Sequence, residues 1–206
     1  MSGIDPELRT AEIPLFPLRT VLFCGGNLPL RIFEPRYLDM VSRCLKREQG
    51  FGVLLIREGS ESRNTPEDPA PRTFTIGTYA NIVDFNQLED GMLGIIASGS
   101  HKFRVMRSYL EPNGLLMGEV EFLPEERATQ LGTDHASLVD VLKELMKHPM
   151  VEHLNLDVDF KDARSVSWRL AELLPLEPEI KQSLLQMNLP RERLAELKRL
   201  VNNLAS

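Results

Sequence analysis

Four histidines, two cysteines and several neighbouring carboxylates are the groups in this chain that could bind a metal or move a proton. His148 and His153 flank Pro149-Met150-Val151-Glu152, and Asp157 follows closely. A metal centre needs ligands that converge at fixed geometry, as two histidines one helical turn apart do. No such pair is present, and neither Cys24 nor Cys44 is near these histidines in sequence. A histidine at a helix C-terminus is favoured by the helix dipole, which is the reading adopted for His148 and His153. His101, beside Lys102, reads as a turn residue. The pairs Glu89-Asp90, Glu125-Glu126 and Asp157/Asp159 read as solvated turns. Acid–base work would require one carboxyl of a pair to be buried with a raised pKa. Gly94-Ile95-Ile96-Ala97-Ser98-Gly99-Ser100-His101 is the nearest approach to a phosphate-binding loop. Ser100-His101 stands where Lys followed by Ser or Thr must stand, and no helical pattern follows. The string reads as a hairpin. No catalytic residue, cofactor or metal is expected.

The elements around these groups are organised by one stretch, Leu28-Pro29-Leu30-Arg31-Ile32-Phe33-Glu34-Pro35-Arg36-Tyr37. Leu28, Leu30 and Ile32 alternate with Pro29, Arg31 and Phe33, predicting a short strand with one buried face. Pro29 cannot donate to a ladder, so it belongs at a strand start or an edge. Pro35 suits the first position of a helix, and Glu34 before it suits the dipole. That helix is predicted from Pro35 to about Arg47, with Leu38, Val41, Cys44 and Leu45 as its buried stripe. Upstream lies a second proline-punctuated apolar run, Ile13-Pro14-Leu15-Phe16-Pro17-Leu18. The cations between Arg31 and Arg47 outnumber Glu34 and Asp39. They read as a solvated face with internal ion pairs, the other reading being a surface for acidic peptides.

A chain of 206 residues can bury a substantial core. Its 42% hydrophobic and 26% charged content is ordinary for a globular protein. The net charge of −6 provides no basic stripe for nucleic acid. Two cysteines without ligand spacing point to a reducing, cytoplasmic setting, with one disulfide as the alternative. The first twelve residues lack a signal-peptide pattern, and no apolar run is long enough for a membrane helix.

Along the chain, Phe51 to Ile56 is predicted as a buried strand. Arg57 to Arg72 follows as an exposed, mobile loop. Thr73 to Phe85 is a strand with a bulge at Gly77. Met92 to Ala97 and Lys102 to Leu110 are predicted as two strands separated by Ser98 to His101. Pro112-Asn113-Gly114 turns the chain into a last strand, Leu115 to Phe122. Pro124 to Gly132 is a charged connector, after which the period becomes helical. Asp134 is predicted to cap a helix to His148, and Asp162 one to Leu174. Two more helices, Glu177 to Met187 and Pro190 to Leu204, follow.

The two apolar runs together carry a resemblance. Pro14, Leu15, Pro17 and Leu18, followed by Leu28, Pro29, Leu30, Ile32, Phe33, Glu34, Pro35, Arg36 and Tyr37, resemble the opening of the Lon protease N-terminal domain family. The variants most alike carry an Ile-Phe-Glu-Pro-Arg-Tyr signature and include stand-alone bacterial Lon-domain proteins and cereblon-like proteins. The resemblance covers nearly the whole chain. It implies an α+β fold: a PUA-like, mostly antiparallel β-barrel over residues 1–124, then a helical bundle over 125–206. It also implies a protein-binding role, since the corresponding domain of Lon proteases helps recognise unfolded or tagged substrates. The Ser–Lys peptidase dyad of Lon belongs to a domain outside the region of likeness.

The expectation is therefore a non-catalytic module that binds protein or peptide, with neither nucleic acid nor membrane as partner. Its site is expected in a cleft where barrel meets bundle, and Glu34, Arg36 and Tyr37 are expected to be structural. Two alternatives remain: an RNA-binding PUA-like protein, or a hydrolase whose site is not visible in the sequence.

Overall fold

The computed structural model describes residues 9–62, 68–152 and 156–204. The chain divides into two compact units, Met1–Pro124 and Glu125–Ser206.

The first unit holds every named strand: β1 (Thr10–Leu18), β2 (Asn27–Ile32), β3 (Phe51–Glu58), β4 (Arg72–Thr73), β5 (Ile76–Gln87), β6 (Leu93–Leu110) and β7 (Leu116–Phe122). Their order is β1-β7-β6-β5-β3-β4, with β2 pairing β6 off this path. β1 runs antiparallel to β7 from Thr10 to Leu15, then parallel to β3 from Leu15 to Leu18. The path of pairings therefore returns to the strand where it began.

β6 differs from the sequence expectation. Two strands around a hairpin were predicted, but Leu93–Leu110 is one strand. Gly99 is the reason. Its N–H donates to the Gly26 carbonyl at 2.9 Å, and its carbonyl accepts from Gly25 N–H at 2.7 Å. A Cβ at Gly99 would strike the Phe23 carbonyl oxygen. The glycine thus lets the 23–26 backbone lie against an unbroken strand instead of turning the chain. His101 accordingly sits in this strand and not in a turn. Gly77 also differs: the register shifts fall between Thr78 and Ala80 and between Ile82 and Asp84. Gly77 instead leaves room for the Val53 carbonyl and the Phe103 ring.

Helix α1 (Pro35–Arg47) crosses one core cluster of this unit. Its buried stripe is Tyr37, Met40, Val41 and Cys44, joined by Arg36. The expected members Leu38 and Leu45 are each 38% exposed. Both stripes fit a 3.6-residue period, but the Tyr37 ring selects between them. It meets Phe16 edge-on at 4.1 Å between centroids, and Phe16 in turn meets Phe51.

The second unit is built from α2 (Ala136–Met146), α3 (Pro149–Glu152), α4 (Ala163–Leu173), α5 (Pro178–Gln186) and α6 (Pro190–Leu204). Asp162 caps α4, accepting from Arg164 N–H at 2.9 Å. Asp134 does not cap α2, because a short 3-10 turn at Thr133–His135 precedes that helix. α4 is the central element: Val166, Leu170 and Ala171 are fully buried, with Leu138 and Leu142 of α2 and Leu194 and Leu197 of α6 also in the core. Among the described residues no helix is long and apolar enough to cross a membrane.

Candidate functional site

The motif residues fall into two walls of one slot and the helix start beneath it. On β1, Pro14 faces Met117 of β7, and Leu15 packs against Gly118 and Gly52 in a second core cluster. Pro17 and Leu18 follow, both buried. On β2 the predicted alternation holds: Ile32 is buried, Leu28 and Leu30 are half-buried against the core, and Pro29 and Arg31 face solvent. Pro29 lies on a strand whose named pairing is with β6 alone, an edge position that tolerates its missing N–H. Phe33 leaves the strand with 59% of its surface exposed. Between these walls lies a slot of about 180 Å³, flanked by Phe16–Leu18 on one side and Leu30–Phe33 on the other. Glu34, Tyr37, Glu61 and Ser62 complete its lining.

The helix start is fixed by Arg36. Only 8% exposed, it donates to the Gly114 carbonyl at 3.3 Å and to the Glu61 carbonyl at 3.2 Å. It pairs with Glu34 at 2.7 Å and lies 4.6 Å from the Tyr37 ring centroid. Pro35 takes the first helical position, and Glu34 makes no side-chain cap bond because its carboxylate is held by Arg36. Two further cations of the stretch, Arg31 and Arg43, are likewise paired. Arg31 meets Asp90 at 2.7 Å. Arg43 grips both oxygens of Glu111, which holds the guanidinium pKa above its ordinary value. Arg19 donates its backbone N–H to Glu61 and a guanidinium N–H to the Gly59 carbonyl. Asp39, Lys46 and Arg47 are exposed, so the charges of this stretch divide between ion pairs and a solvated helix face.

The groups considered first for chemistry are scattered. His101 and His148 are exposed on separate units, and His153 lies outside the described residues, as do residues 63–67 of the expected Arg57–Arg72 loop, whose ends belong to β3 and β4. Among the described residues no three His, Cys, Asp or Glu side chains gather as a metal centre requires. No disulfide links Cys24 and Cys44. Burial pushes the Cys44 thiol up to about 11, and its Sγ lies 3.6 Å from the Gly50 carbonyl. One carboxylate departs from expectation. Glu126 is not solvated; it is bound to the fully buried Arg193 in the second unit. Sequence reasoning also missed the slot itself. Phe33 carried a signal, since it is apolar yet falls in the outward phase of β2. Glu61 carried none, because its role depends on a loop returning to Arg19 and Arg36.

The arrangement is of a known class. A Lon N-terminal domain protein from Xanthomonas campestris superposes with a TM-score of 0.73 at 36% identity, covering 92% of this chain and 98% of that one. The fold is thus that of a Lon N-terminal domain, α+β with a mostly antiparallel sheet. The ATP-dependent protease La (LON) substrate-binding domain family matches residues 12–203, and the chain belongs to that family. Among full-length relatives, Lon protease from Paraburkholderia phytofirmans is 35% identical over 127 residues, 61% of this chain and 15% of that protein. Lon protease from Flavobacterium johnsoniae is 25% identical over 97% of this chain and 25% of its own length. The chain therefore corresponds to a quarter or less of these two relatives.

Proposed function

We propose that this chain is a non-catalytic polypeptide-binding module that holds unfolded or extended protein segments for a cytoplasmic proteolysis or quality-control system. The observation that carries the reading is the apolar slot beside Phe33. A large aromatic left 59% exposed at the mouth of a cleft offers an anchor for an incoming side chain. We read the returning strand path of the first unit as a PUA-like barrel and the helices of the second as a bundle. Glu34, Pro35, Arg36 and Tyr37 then act as framework, holding β2 and α1 so that the slot keeps its shape. Membership of a substrate-binding family supports the same reading.

Fluorescence anisotropy of a labelled unfolded polypeptide, such as reduced and alkylated casein, tests it with the full chain. Binding in the micromolar range, about −8 kcal/mol, is expected, because a flexible segment must be ordered on binding. Phe33→Ala is expected to weaken it by about tenfold. No binding at millimolar concentrations, or tight salt-sensitive binding of RNA instead, refutes the reading.

A further inference from the structure

The slot of the first unit holds one charge that its surroundings leave unmatched. Three of its lining residues are charged: Arg31, Glu34 and Glu61. Arg31 pairs with Asp90 at 2.7 Å, and Glu34 with Arg36 at 2.7 Å. The Glu61 carboxylate accepts the Arg19 backbone N–H, and among the described residues no cation pairs with it. The two neighbouring guanidiniums are committed elsewhere. That of Arg19 donates to the Gly59 carbonyl, and that of Arg36 to Glu34 and to the Gly114 and Glu61 carbonyls. Because the Glu61 carboxylate meets the N–H of the Leu18–Arg19 peptide, it stands at the end of the β1 wall, next to Leu18. The walls themselves are apolar: Phe16, Leu18 and Ile32 are buried, and Leu30 is half-buried. At the mouth, the exposed Phe33 ring has no ring or cation against it among the described residues, whereas the Tyr37 ring already holds Arg36.

We propose that the slot takes a lysine side chain of an unfolded polypeptide, with its methylenes between the β1 and β2 walls and its ammonium on Glu61. The inference rests on the polypeptide-binding reading above and names the side chain that is selected. Lysine is apolar along its stem and charged only at its tip, which matches apolar walls that end at a carboxylate. The space of about 180 Å³ suits one long side chain and is too small for a helix, which is about 10–12 Å across. The free partner also fits a single point charge. One Glu61 oxygen is taken by the Arg19 N–H, which leaves the other for an ammonium, whereas the fork of arginine binds a carboxylate through both oxygens. Phe33 adds an open ring face, to which the ring quadrupole draws a cation. An acidic side chain would meet Glu61 as a like charge. A purely apolar one would cover that carboxylate without replacing its water. Recognition through a side chain asks no main-chain donor of the walls, so the missing N–H groups of Pro17 and Pro29 are no obstacle.

The probes are capped seven-residue peptides of serine and threonine in which only the central residue varies. It is lysine, norleucine, which lacks the ammonium, or diaminobutyrate, which carries the ammonium on a stem two methylenes shorter. Each is titrated into the isotope-labelled full chain and followed by amide shifts. The lysine peptide is expected to bind about fivefold more tightly than either of the others, with shifts at residues 16–19, 30–33 and 61. Glu61→Gln removes the charge but keeps an oxygen for the Arg19 N–H. It is expected to reduce the advantage of lysine over norleucine to about twofold or less and to leave the norleucine affinity unchanged. Norleucine binding at these residues as tightly as lysine overturns lysine selection and leaves polypeptide binding intact. Equal binding of lysine and diaminobutyrate, or an undiminished lysine advantage in Glu61→Gln, assigns the effect to the net charge of −6 and also overturns the proposal. Failure of all three peptides while unfolded casein binds overturns it as well, and failure of casein too overturns both readings.

Discussion

The guanidinium of Arg193 lies 3.2 Å from the centroid of the Trp168 ring, joining α6 to α4. Its other face of bonding is polar: it donates to Ser167 Oγ at 3.0 Å, to the Met187 carbonyl at 3.2 Å and to both carboxylate oxygens of Glu126. Arg193 is wholly buried, and the Glu126 side chain is 6% exposed. A planar fork that stacks and binds a carboxylate at two points is a task for arginine that lysine cannot perform.

Breaking this pair by removing one partner leaves the other buried and unmatched. Arg193→Met is expected to destabilise the second unit by about 3–5 kcal/mol. Adding Glu126→Leu to it is expected to recover a large part of that loss, since no orphaned charge then remains. Urea titrations followed by Trp168 fluorescence measure both. Equal stability of the single and double variants would show that burial of Glu126 carries no cost.

The two candidate stripes of α1 make opposite predictions. Met40 is fully buried, so Met40→Ala is expected to cost about 2–5 kcal/mol. Leu45→Ala, at a position 38% exposed, is expected to cost less than about 1 kcal/mol. Thermal denaturation of the two variants decides between the stripes, and a reversed order would restore the one expected from sequence.

These contrasts show what the sequence exposed. Element type was legible wherever the period was sustained, as in Pro35–Arg47, Asp162–Leu174 and Pro190–Leu204. The alternation of Leu28, Leu30 and Ile32 also placed β2 and its buried face. The phase of α1 was not legible, because Leu38 and Leu45 fit the same period as Tyr37 and Met40. Only the rings of Phe16 and Phe51 decide between them. The length of β6 was hidden because Gly99 has the same appearance in a turn and in a strand that another backbone must approach. The buried Glu126–Arg193 pair lies beyond local reasoning altogether, its partners being far apart in sequence. Both walls of the slot carry motif residues, but that they enclose a space depends on β7 leaving β1 at Leu15.

Gly99→Ala is expected to destabilise the first unit by about 1–3 kcal/mol through overpacking against the Phe23 carbonyl. Exchange of the Gly25 and Gly99 amides, which bond across this contact, is expected to accelerate. Unchanged stability would mean that the 23–26 loop yields readily to a methyl group.

Stability is also expected to fall in alkali. Burial raises the Cys44 thiol to about 11 and raises the Tyr79 phenol, whose oxygen accepts from Gly50 N–H at 2.5 Å. Both groups hold their protons more tightly folded than unfolded. The unfolded chain therefore releases them first, and their stabilisation, complete below pH about 9, is lost as pH rises through about 11. Denaturation midpoints from pH 8 to 11 measure the slope. Alkylation followed by mass spectrometry supplies a second check, with Cys24 expected to react before the buried Cys44. A flat stability profile together with equal labelling would contradict both assignments.

The strand path that returns to β1 has a consequence for the growing chain. β1 is synthesised before its partner β7, and Thr10 pairs with Glu121, roughly 110 residues later. At ordinary rates of translation it waits about 5–20 s for that partner. An apolar strand with bare edges is, for that interval, a seed for aggregation. Pro14 and Pro17 interrupt its row of donors at two places. The prolines that mark the motif thus also serve as gatekeepers, keeping the nascent segment from pairing with the wrong neighbour before β7 arrives.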